Sequence, residues 1–134
     1  MLKLAHIHHI AIIASDYQAS KKFYCDILGF TLLSEVYREE RQSWKADLAI
    51  NGLYQIELFS FVAPPARVSQ PEACGLRHLA FSVQDINEAI ASLTAAGVVC
   101  EPIRIDPYTG KKFTFFADPD HLPLELYEIA LFRR

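Results

Sequence analysis

The chain has 134 residues, of which 51% are hydrophobic and 22% are charged, a composition typical of one small globular domain or two modules sharing a core. Its net charge is −3 and its lysines and arginines form no large cluster, which argues against a nucleic-acid partner. No apolar run approaches the ~20 residues that a membrane helix needs, so no membrane association is predicted. Three widely spaced cysteines without a C-x-x-C motif indicate free thiols in a cytoplasmic protein: Cys25, Cys74 and Cys100.

The first half of the chain predicts a β-α-β-β-β unit. Ser15 or Asp16 is suited to cap a helix, and Gly29 is suited to end it in the left-handed conformation. Asn51-Gly52 is a strong signal for a two-residue hairpin turn between two strands. The predicted elements are strands at 6–14, 30–38, 44–50 and 53–61 and a helix at 17–28.

The second half repeats this order after a linker at 62–75 that contains three prolines and is predicted to be extended. Asp85 is suited to cap a helix that Gly97 ends, and Asp118-Pro119-Asp120-His121 predicts a tight turn before the last strand. The predicted elements are strands at 76–83, 99–105, 111–117 and 122–128 and a helix from Asp85 to about 96. We therefore expect a single domain, 1–134, of class α+β, made of two modules at about 4–61 and 76–128.

Matched positions in the two halves point to a tandem duplication. His9 and His78 each open an apolar run, and an aspartate follows each histidine seven residues later. Near the end of each half an apolar strand carries one glutamate. Glu57 lies forty-eight residues after His9, and Glu125 lies forty-seven after His78.

These four positions are candidate ligands of one divalent metal ion. In a pleated strand His9 shares a face with Ala11, and His78 shares a face with a second alanine, Ala80, so each imidazole has room. A carboxylate inside an apolar strand needs a cation, a hydrogen-bond network or water. Two imidazoles and two carboxylates with exchangeable water suit Ni²⁺, Co²⁺, Zn²⁺, Fe²⁺ or Mn²⁺.

Each residue alone has a plainer explanation. A strand histidine is commonly an ordinary half-exposed side chain, and a strand glutamate can simply face outward. His6 and His8 are predicted on the strand face opposite His9, and a register slip by one residue would put His8 in its place. Four matched positions across a duplication nevertheless favour a shared site. Five aromatic residues are predicted to lie in the core: Trp44, Phe59, Phe61, Phe113 and Phe115. Of these, Phe59 and Phe61 share a face with Glu57 and are also candidate pocket residues.

At these residues the chain resembles the vicinal oxygen chelate superfamily, and within it the bacterial glyoxalase I-like (lactoylglutathione lyase-like) proteins. The resemblance covers about 6–128. It implies paired β-α-β-β-β modules that form incomplete barrels around a divalent metal. It is carried by His9-Ile10-Ala11-Ile12, Phe23-Tyr24 with Leu28-Gly29-Phe30, Ile56-Glu57-Leu58, His78-Leu79-Ala80-Phe81-Ser82-Val83, and Asp118-Pro119-Asp120 before Leu124-Glu125-Leu126.

The resemblance implies the ligand set His9, Glu57, His78 and Glu125, with nickel, zinc or cobalt favoured over iron or manganese. In such enzymes a metal-bound hemithioacetal of glutathione and methylglyoxal loses a proton to a ligand carboxylate and is reprotonated at the neighbouring carbon. The residue implied as base is Glu125, with Glu57 as its counterpart.

Three positions depart from the glyoxalase I pattern. Ile13 stands where an arginine for a glutathione carboxylate is usual, Phe61 stands where an asparagine is usual, and His121 replaces a turn glycine. The loss of two polar contacts favours a smaller or more apolar substrate, and it makes Ile13, Phe59 and Phe61 candidate substrate contacts.

Other readings of the resemblance are an epimerase, a thiol transferase, a ring-cleaving dioxygenase, or a binding protein that turns nothing over. The resemblance also implies a homodimer, with the metal site either inside one chain or shared between two. We expect a cytoplasmic enzyme of glyoxalase I type acting on a small molecule.

Overall fold

A computed structural model describes residues 1–130 and shows two compact units, Met1–Ala66 and a second that begins at Arg67. Residues 131–134, which include Arg133-Arg134, lie outside the described part. Each unit holds one four-stranded mixed sheet with a helical segment, so the predicted α+β class with two β-α-β-β-β modules is confirmed.

The elements of the first unit are β1 Ile10–Ala14, α1 Tyr17–Lys22, the π-helix Phe23–Ile27, β2 Thr31–Arg38, β3 Ser43–Ile50 and β4 Leu53–Ser60. The first helix and the π-helix that continues it follow β1, and a short 3-10 helix, Glu39–Arg41, separates β2 from β3. The sheet order is β1-β4-β3-β2. Strand β1 pairs in parallel with β4, and the other neighbours are antiparallel.

The elements of the second unit are β5 Leu79–Val83, α2 Ile86–Ala95, β6 Arg104–Ile105, β7 Lys112–Ala117 and β8 Pro123–Glu128. This unit repeats the arrangement of the first, with sheet order β5-β8-β7-β6 and with β5 and β8 as its parallel pair. The chain between the two sheets, 61–78, contains no helix or strand, as the prolines predict.

The first strand of each unit is shorter than predicted and begins just after its histidine. The next partner of His9 along the parallel ladder would be Gln55, which is skipped in the pairing of β3 with β4. The next partner of His78 would be Pro123, which has no N–H to donate. Both histidines therefore stand at the end of a ladder rather than inside a strand.

The predicted strand at 99–105 is wrong for most of its length, because only Arg104–Ile105 pairs regularly. Pro102 cannot donate a ladder hydrogen bond, and Val99 is exposed. One bond, from the Glu101 N–H to the Phe115 carbonyl at 2.9 Å, still holds this segment alongside β7.

The helix predicted at 17–28 is an α-helix followed by a π-helix. Asp16 caps it by accepting a bond from the Ala19 N–H, and Gly29 follows with φ of +83°, both as predicted. The wider turn, with the Leu28 N–H bonded to the Phe23 carbonyl at 3.0 Å, accommodates one residue more than an α-turn. This accounts for the one-residue difference between the spacings His9 to Gly29 and His78 to Gly97.

Each core lies between the helical face of a sheet and the helix above it. The predicted core positions of Phe59, Phe61, Phe113 and Phe115 are wrong, since all four are half-buried and alternate with the buried residues of their strands or lie beyond them. Trp44 is half-buried and stacks on Tyr17. The buried set includes Ile12, Ala14, Tyr24, Ala46, Leu48, Ile56 and Leu58 in the first unit and Ile86, Leu93, Phe116, Leu124 and Leu126 in the second.

Candidate functional site

The two units place their histidine and glutamate in the same relation. Ala11 pairs with Glu57 across the parallel ladder of the first unit, and Ala80 pairs with Glu125 in the second. Each histidine precedes its alanine by two residues and lies just before the first paired residue of its strand. The duplication inferred from sequence spacing is therefore also a duplication of register.

In the first unit the two candidate ligands are close. The distance from His9 Nε2 to Glu57 Oε1 is 3.7 Å, with 36% of the histidine side chain and 18% of the glutamate side chain exposed. The His9 ring stacks on Tyr54, with centroids 5.1 Å apart, and its Nδ1 lies 2.8 Å from the Nδ1 of His8. These contacts leave Nε2 facing the carboxylate.

The predicted placement of His8 on the face opposite His9 is wrong. Because both residues precede β1, strand alternation does not separate them, and the two rings meet edge to face with centroids 5.1 Å apart. His6 and His8 are both exposed.

The second oxygen of Glu57 has its own partners. Oε2 lies 3.3 Å from the Lys45 ammonium, and it accepts a hydrogen bond from the Tyr54 hydroxyl at 3.3 Å. Lys45 also lies 2.9 Å from Asp47, which sits directly opposite Glu57 in the antiparallel ladder. A single ammonium thus bridges two facing carboxylates.

The electrostatics of this group keep Lys45 and Asp47 charged and Tyr54 neutral. Hydrogen bonding to Asp47 raises the pKa of Lys45, so the ammonium persists. Burial alone would raise the pKa of Asp47, but hydrogen bonds from Lys45, Ser34 and Tyr54 outweigh it and hold that pKa below its usual range. Burial, together with Asp47, raises the pKa of Tyr54, so its hydroxyl remains a donor.

Sequence reasoning missed Lys45, Asp47 and Tyr54 because of a β-bulge. The hairpin pairs Ala49 with Tyr54, but beyond it the register shifts and Gln55 is left without a partner. A regular ladder would put Asp47 opposite Ile56 and would place Tyr54 on the face away from Glu57. The alternation of Lys45 and Asp47 along β3 was the only signal available in the sequence.

The second pair has different surroundings. His78 sets its ring against the edge of Phe115, with centroids 5.1 Å apart. Glu125 is half-buried between Ala80 and Phe115 in the sheet. Over residues 1–130 its carboxylate has neither an ion pair nor a hydrogen bond, in contrast to that of Glu57.

The donor chemistry of the first unit fits a divalent metal. Two ligands bound at about 2.0–2.2 Å and roughly at right angles stand about 3 Å apart, so His9 and Glu57 need only a small adjustment to share one ion. Within the described residues no three histidine, cysteine or acidic side chains gather closely enough to hold a metal. Each unit shows a pair of donors, and the joining of the pairs stays a prediction.

The predicted substrate contacts share one face of the first sheet. Ile13 is 53% exposed and pairs with Phe59 across the ladder. The rings of Phe59 and Phe61 stack 5.8 Å apart, and the guanidinium of Arg38 lies 4.9 and 5.7 Å from their centroids. Arg38, at the end of β2, is a further residue that the sequence did not single out.

A sequence model of the Glyoxalase/Bleomycin resistance protein/Dioxygenase superfamily matches residues 6–126. The chain belongs to this superfamily. This confirms the resemblance to the vicinal oxygen chelate proteins, which is the same group.

Matches to relatives and solved structures cover nearly the whole chain. The chain is 72% identical over 128 residues to the uncharacterized protein YaeR of Escherichia coli, a match that covers 96% of this chain and 99% of that one. It resembles the crystal structure of a glyoxalase family protein from Enterococcus faecalis, with 54% identity, a TM-score of 0.85, and coverage of 92% and 97% of the two chains. A 2-epi-5-epi-valiolone epimerase of Actinomyces is 26% identical, over 92% of this chain and 79% of that one.

Among residues 1–130 there is no helix with the length and apolar character required to cross a membrane.

Proposed function

We propose that this protein is a divalent-metal-dependent isomerase of glyoxalase I type, which moves a hydrogen between neighbouring carbons of a small hydroxycarbonyl compound. The observation that carries the proposal is the repeated histidine–glutamate register, in which Glu57 pairs with the Lys45 ammonium and Glu125 has no ion pair among residues 1–130. Superfamily membership supports a metal site but leaves the reaction open.

The proposed ligands of the ion are His9, Glu57, His78 and Glu125. Nickel, zinc or cobalt suits this mixed imidazole and carboxylate set best, and iron or manganese is also compatible with it. When bound, such an ion would polarise a substrate carbonyl and lower the cost of removing a proton from the adjacent carbon.

The surroundings of the two glutamates support different roles. Glu57 is held at Oε2 by Lys45 and Tyr54, so its orientation is fixed. Glu125 has no such partner in the described chain, so its carboxylate is free to accept and return a proton. We therefore assign the general base to Glu125 and the role of oriented ligand to Glu57.

The substrate end of the site is apolar where a glutathione-binding enzyme would be polar. Ile13, Phe59 and Phe61 form this surface, and Arg38 lies over the two phenylalanines. This composition supports a substrate smaller or less polar than a glutathione conjugate.

An epimerase is the second candidate, because the Actinomyces relative named as an epimerase matches over 92% of the chain. Both reactions begin with removal of a proton next to a carbonyl. They differ in the carbon that takes the proton back, which is the neighbouring carbon in an isomerase and the same carbon in an epimerase.

Metal analysis of protein purified without chelator is the first test, and we expect about one divalent ion per site. A screen of hydroxycarbonyl compounds and thiol hemithioacetals in D₂O should follow, with the position of deuterium read by NMR. Deuterium on the neighbouring carbon supports the isomerase, and exchange at one carbon supports the epimerase. A protein without stoichiometric metal would instead be a binding protein, contrary to the proposal.

The glutamate assignment is tested with Glu125→Gln and Glu57→Gln. We expect Glu125→Gln to keep the fold and to lose turnover at saturating metal, with deuterium exchange lost as well. Glu57→Gln should mainly weaken metal affinity. Full turnover in Glu125→Gln would remove its role as base.

We also propose a homodimer, whose relation to the metal site is measurable. Dilution through the dimer dissociation constant, followed by sedimentation with metal analysis, separates two arrangements. Metal lost together with the dimer indicates a shared site, and metal retained by a demonstrated monomer indicates a site within one chain.

A further inference from the structure

A cleft of about 720 Å³ lies within the second unit. The segment 67–77 forms one wall, the segment 99–104 forms another, and β7 supplies aromatic surface. This volume falls in the range of small-molecule sites, about 300–1,000 Å³. The lining residues used here are Arg67, Arg77, His78, Arg104 and Phe115.

Arg67 is held in place without a carboxylate. Its Nε donates to the Ser69 hydroxyl at 2.9 Å, and its Nη2 donates to the carbonyls of Leu76 and Arg77 at 2.6 and 3.0 Å. These bonds use three of the five guanidinium donors, so the two on Nη1 have no protein acceptor among residues 1–130. The wall of the cleft therefore holds a fixed cation with donors to spare.

The other charges of the cleft largely cancel. Arg77 pairs with Glu72 at 2.8 Å, and Arg104 pairs with Glu101 at 2.5 Å. Both glutamates also line the cleft, so three arginines face two carboxylates and Arg67 remains uncompensated. A net positive cleft in a chain of charge −3 is a local reversal of sign that attracts anions.

Arg104 adds a planar guanidinium group to the same cleft. Its guanidinium lies 5.5 Å from the centroid of Phe113 and 5.4 Å from that of Phe115, within cation–π range. Phe115 lines the cleft and also contacts the ring of His78. An apolar or aromatic group can therefore pack here while a charged group reaches the arginine wall.

We propose that this cleft binds a small molecule through a carboxylate or phosphate group at Arg67, with the apolar part of the ligand against Phe115. The Nη1 group of Arg67 can donate a charge-assisted hydrogen bond to such an oxyanion. Because His78 lines the same cleft, we assign the anionic group to the end of the substrate that does not react. This assignment, unlike the anion site itself, rests on the proposed function.

Binding is tested on metal-free protein, desalted after chelation, by calorimetry and backbone NMR. The probes are phenylacetate, phenylphosphonate and the neutral phenylacetamide. We expect saturable binding of at least one anion, about tenfold tighter than the amide, with shifts at 67–77 and β7. The tighter of the two anions identifies the group that the cleft prefers.

Arg67→Gln should weaken binding of the anions about tenfold and leave the amide unchanged. Arg41→Gln, an exposed arginine of the first unit, is the matched control and should change nothing. If Arg67→Gln destabilises the segment 67–77, the comparison of anion and amide binding to the native protein still tests the proposal. The anion site would be overturned if neither anion binds more tightly than phenylacetamide, or if neither anion shows saturable binding.

These outcomes are separate from those of the proposed function. Anion binding without stoichiometric metal would support the anion site and contradict the proposed isomerase. Stoichiometric metal and turnover without anion binding would support the isomerase and contradict the anion site.

Discussion

At the scale of single residues, the two glutamates differ in their partners. Glu57 contacts Lys45, Tyr54 and His9, whereas Glu125 has only its neighbours in the sheet within the described chain. If Glu57 binds the proposed metal, the groups that hold it in place should change metal affinity by about 10–100-fold. Substitution of the residues that contact Glu57 should therefore have measurable effects.

Tyr54→Phe should weaken metal affinity about tenfold, because it keeps the ring on His9 but removes the hydroxyl that donates to Glu57. Titration of the metal-free variant with zinc or nickel measures this. Tyr108→Phe, at a site that is 95% exposed, is the control. Wild-type affinity in Tyr54→Phe would show that the hydroxyl does not orient the ligand.

Lys45→Met should lower the free energy of unfolding of the metal-free protein by about 1 kcal/mol, because two facing carboxylates lose the ammonium between them. Urea denaturation provides the measurement. Adding Asp47→Asn to this variant removes one of the opposed charges and should recover most of the loss. No recovery in the double variant would mean that the repulsion is not the cause.

At the scale of elements, Glu35 connects β2 to the first helix. Its Oε2 accepts a hydrogen bond from the Tyr17 hydroxyl and lies 2.7 Å from the Lys21 ammonium. The bond from Lys21, followed by that from Tyr17, holds the pKa of Glu35 below its usual range. A lowered pKa in the folded state couples this contact to pH.

The stability that Glu35 contributes should be complete above its unfolded pKa of about 4.3 and should be lost as pH falls through the lower folded value. The sign follows because the unfolded chain takes up the proton first. Glu35→Gln should therefore show a flatter loss of stability than wild type below about pH 5, measured by urea denaturation across pH. Glu40→Gln, at an exposed site, should follow the wild-type curve.

The sequence predicted the elements well wherever a local signal determined them. Asp16, Asp85, Gly29, Gly97 and the Asn51-Gly52 turn each act through their own backbone or one short contact, and each stands where predicted. Element lengths were harder to predict. Strands β1 and β5 begin one residue after their histidines, where the next ladder partner would be the bulged Gln55 or the proline Pro123.

The candidate site was predictable only in part, because some of its residues are placed by pairing between strands. The alternation of side chains gave the faces of Glu57 and Glu125 correctly. The bulge reversed the expected face of Tyr54 and brought Lys45 and Asp47 to Glu57. Such a register shift depends on pairing between strands, which no single strand encodes.

At the scale of the whole molecule, both units have their own core, and the residues just before the two glutamates are equivalent in it. Ile56 and Leu124 are 1% and 0% exposed. Because each fills its own core, Ile56→Ala and Leu124→Ala should each lower the free energy of unfolding by about 2–5 kcal/mol. Leu53→Ala, at 66% exposure, should cost far less. A large cost in one unit only would show that the duplicated cores do not contribute alike.

A helix and a hairpin respond unequally to one residue beyond their regular repeat. The wide turn at Phe23–Ile27 accommodates such a residue and still delivers the chain to the same kind of glycine stop. The bulge at Gln55 instead turns the later side chains of β4 to the other face relative to β3, whereas β7 and β8 pair without interruption. A bulge in one hairpin of a duplicated fold is thus enough to give the two corresponding glutamates different neighbours.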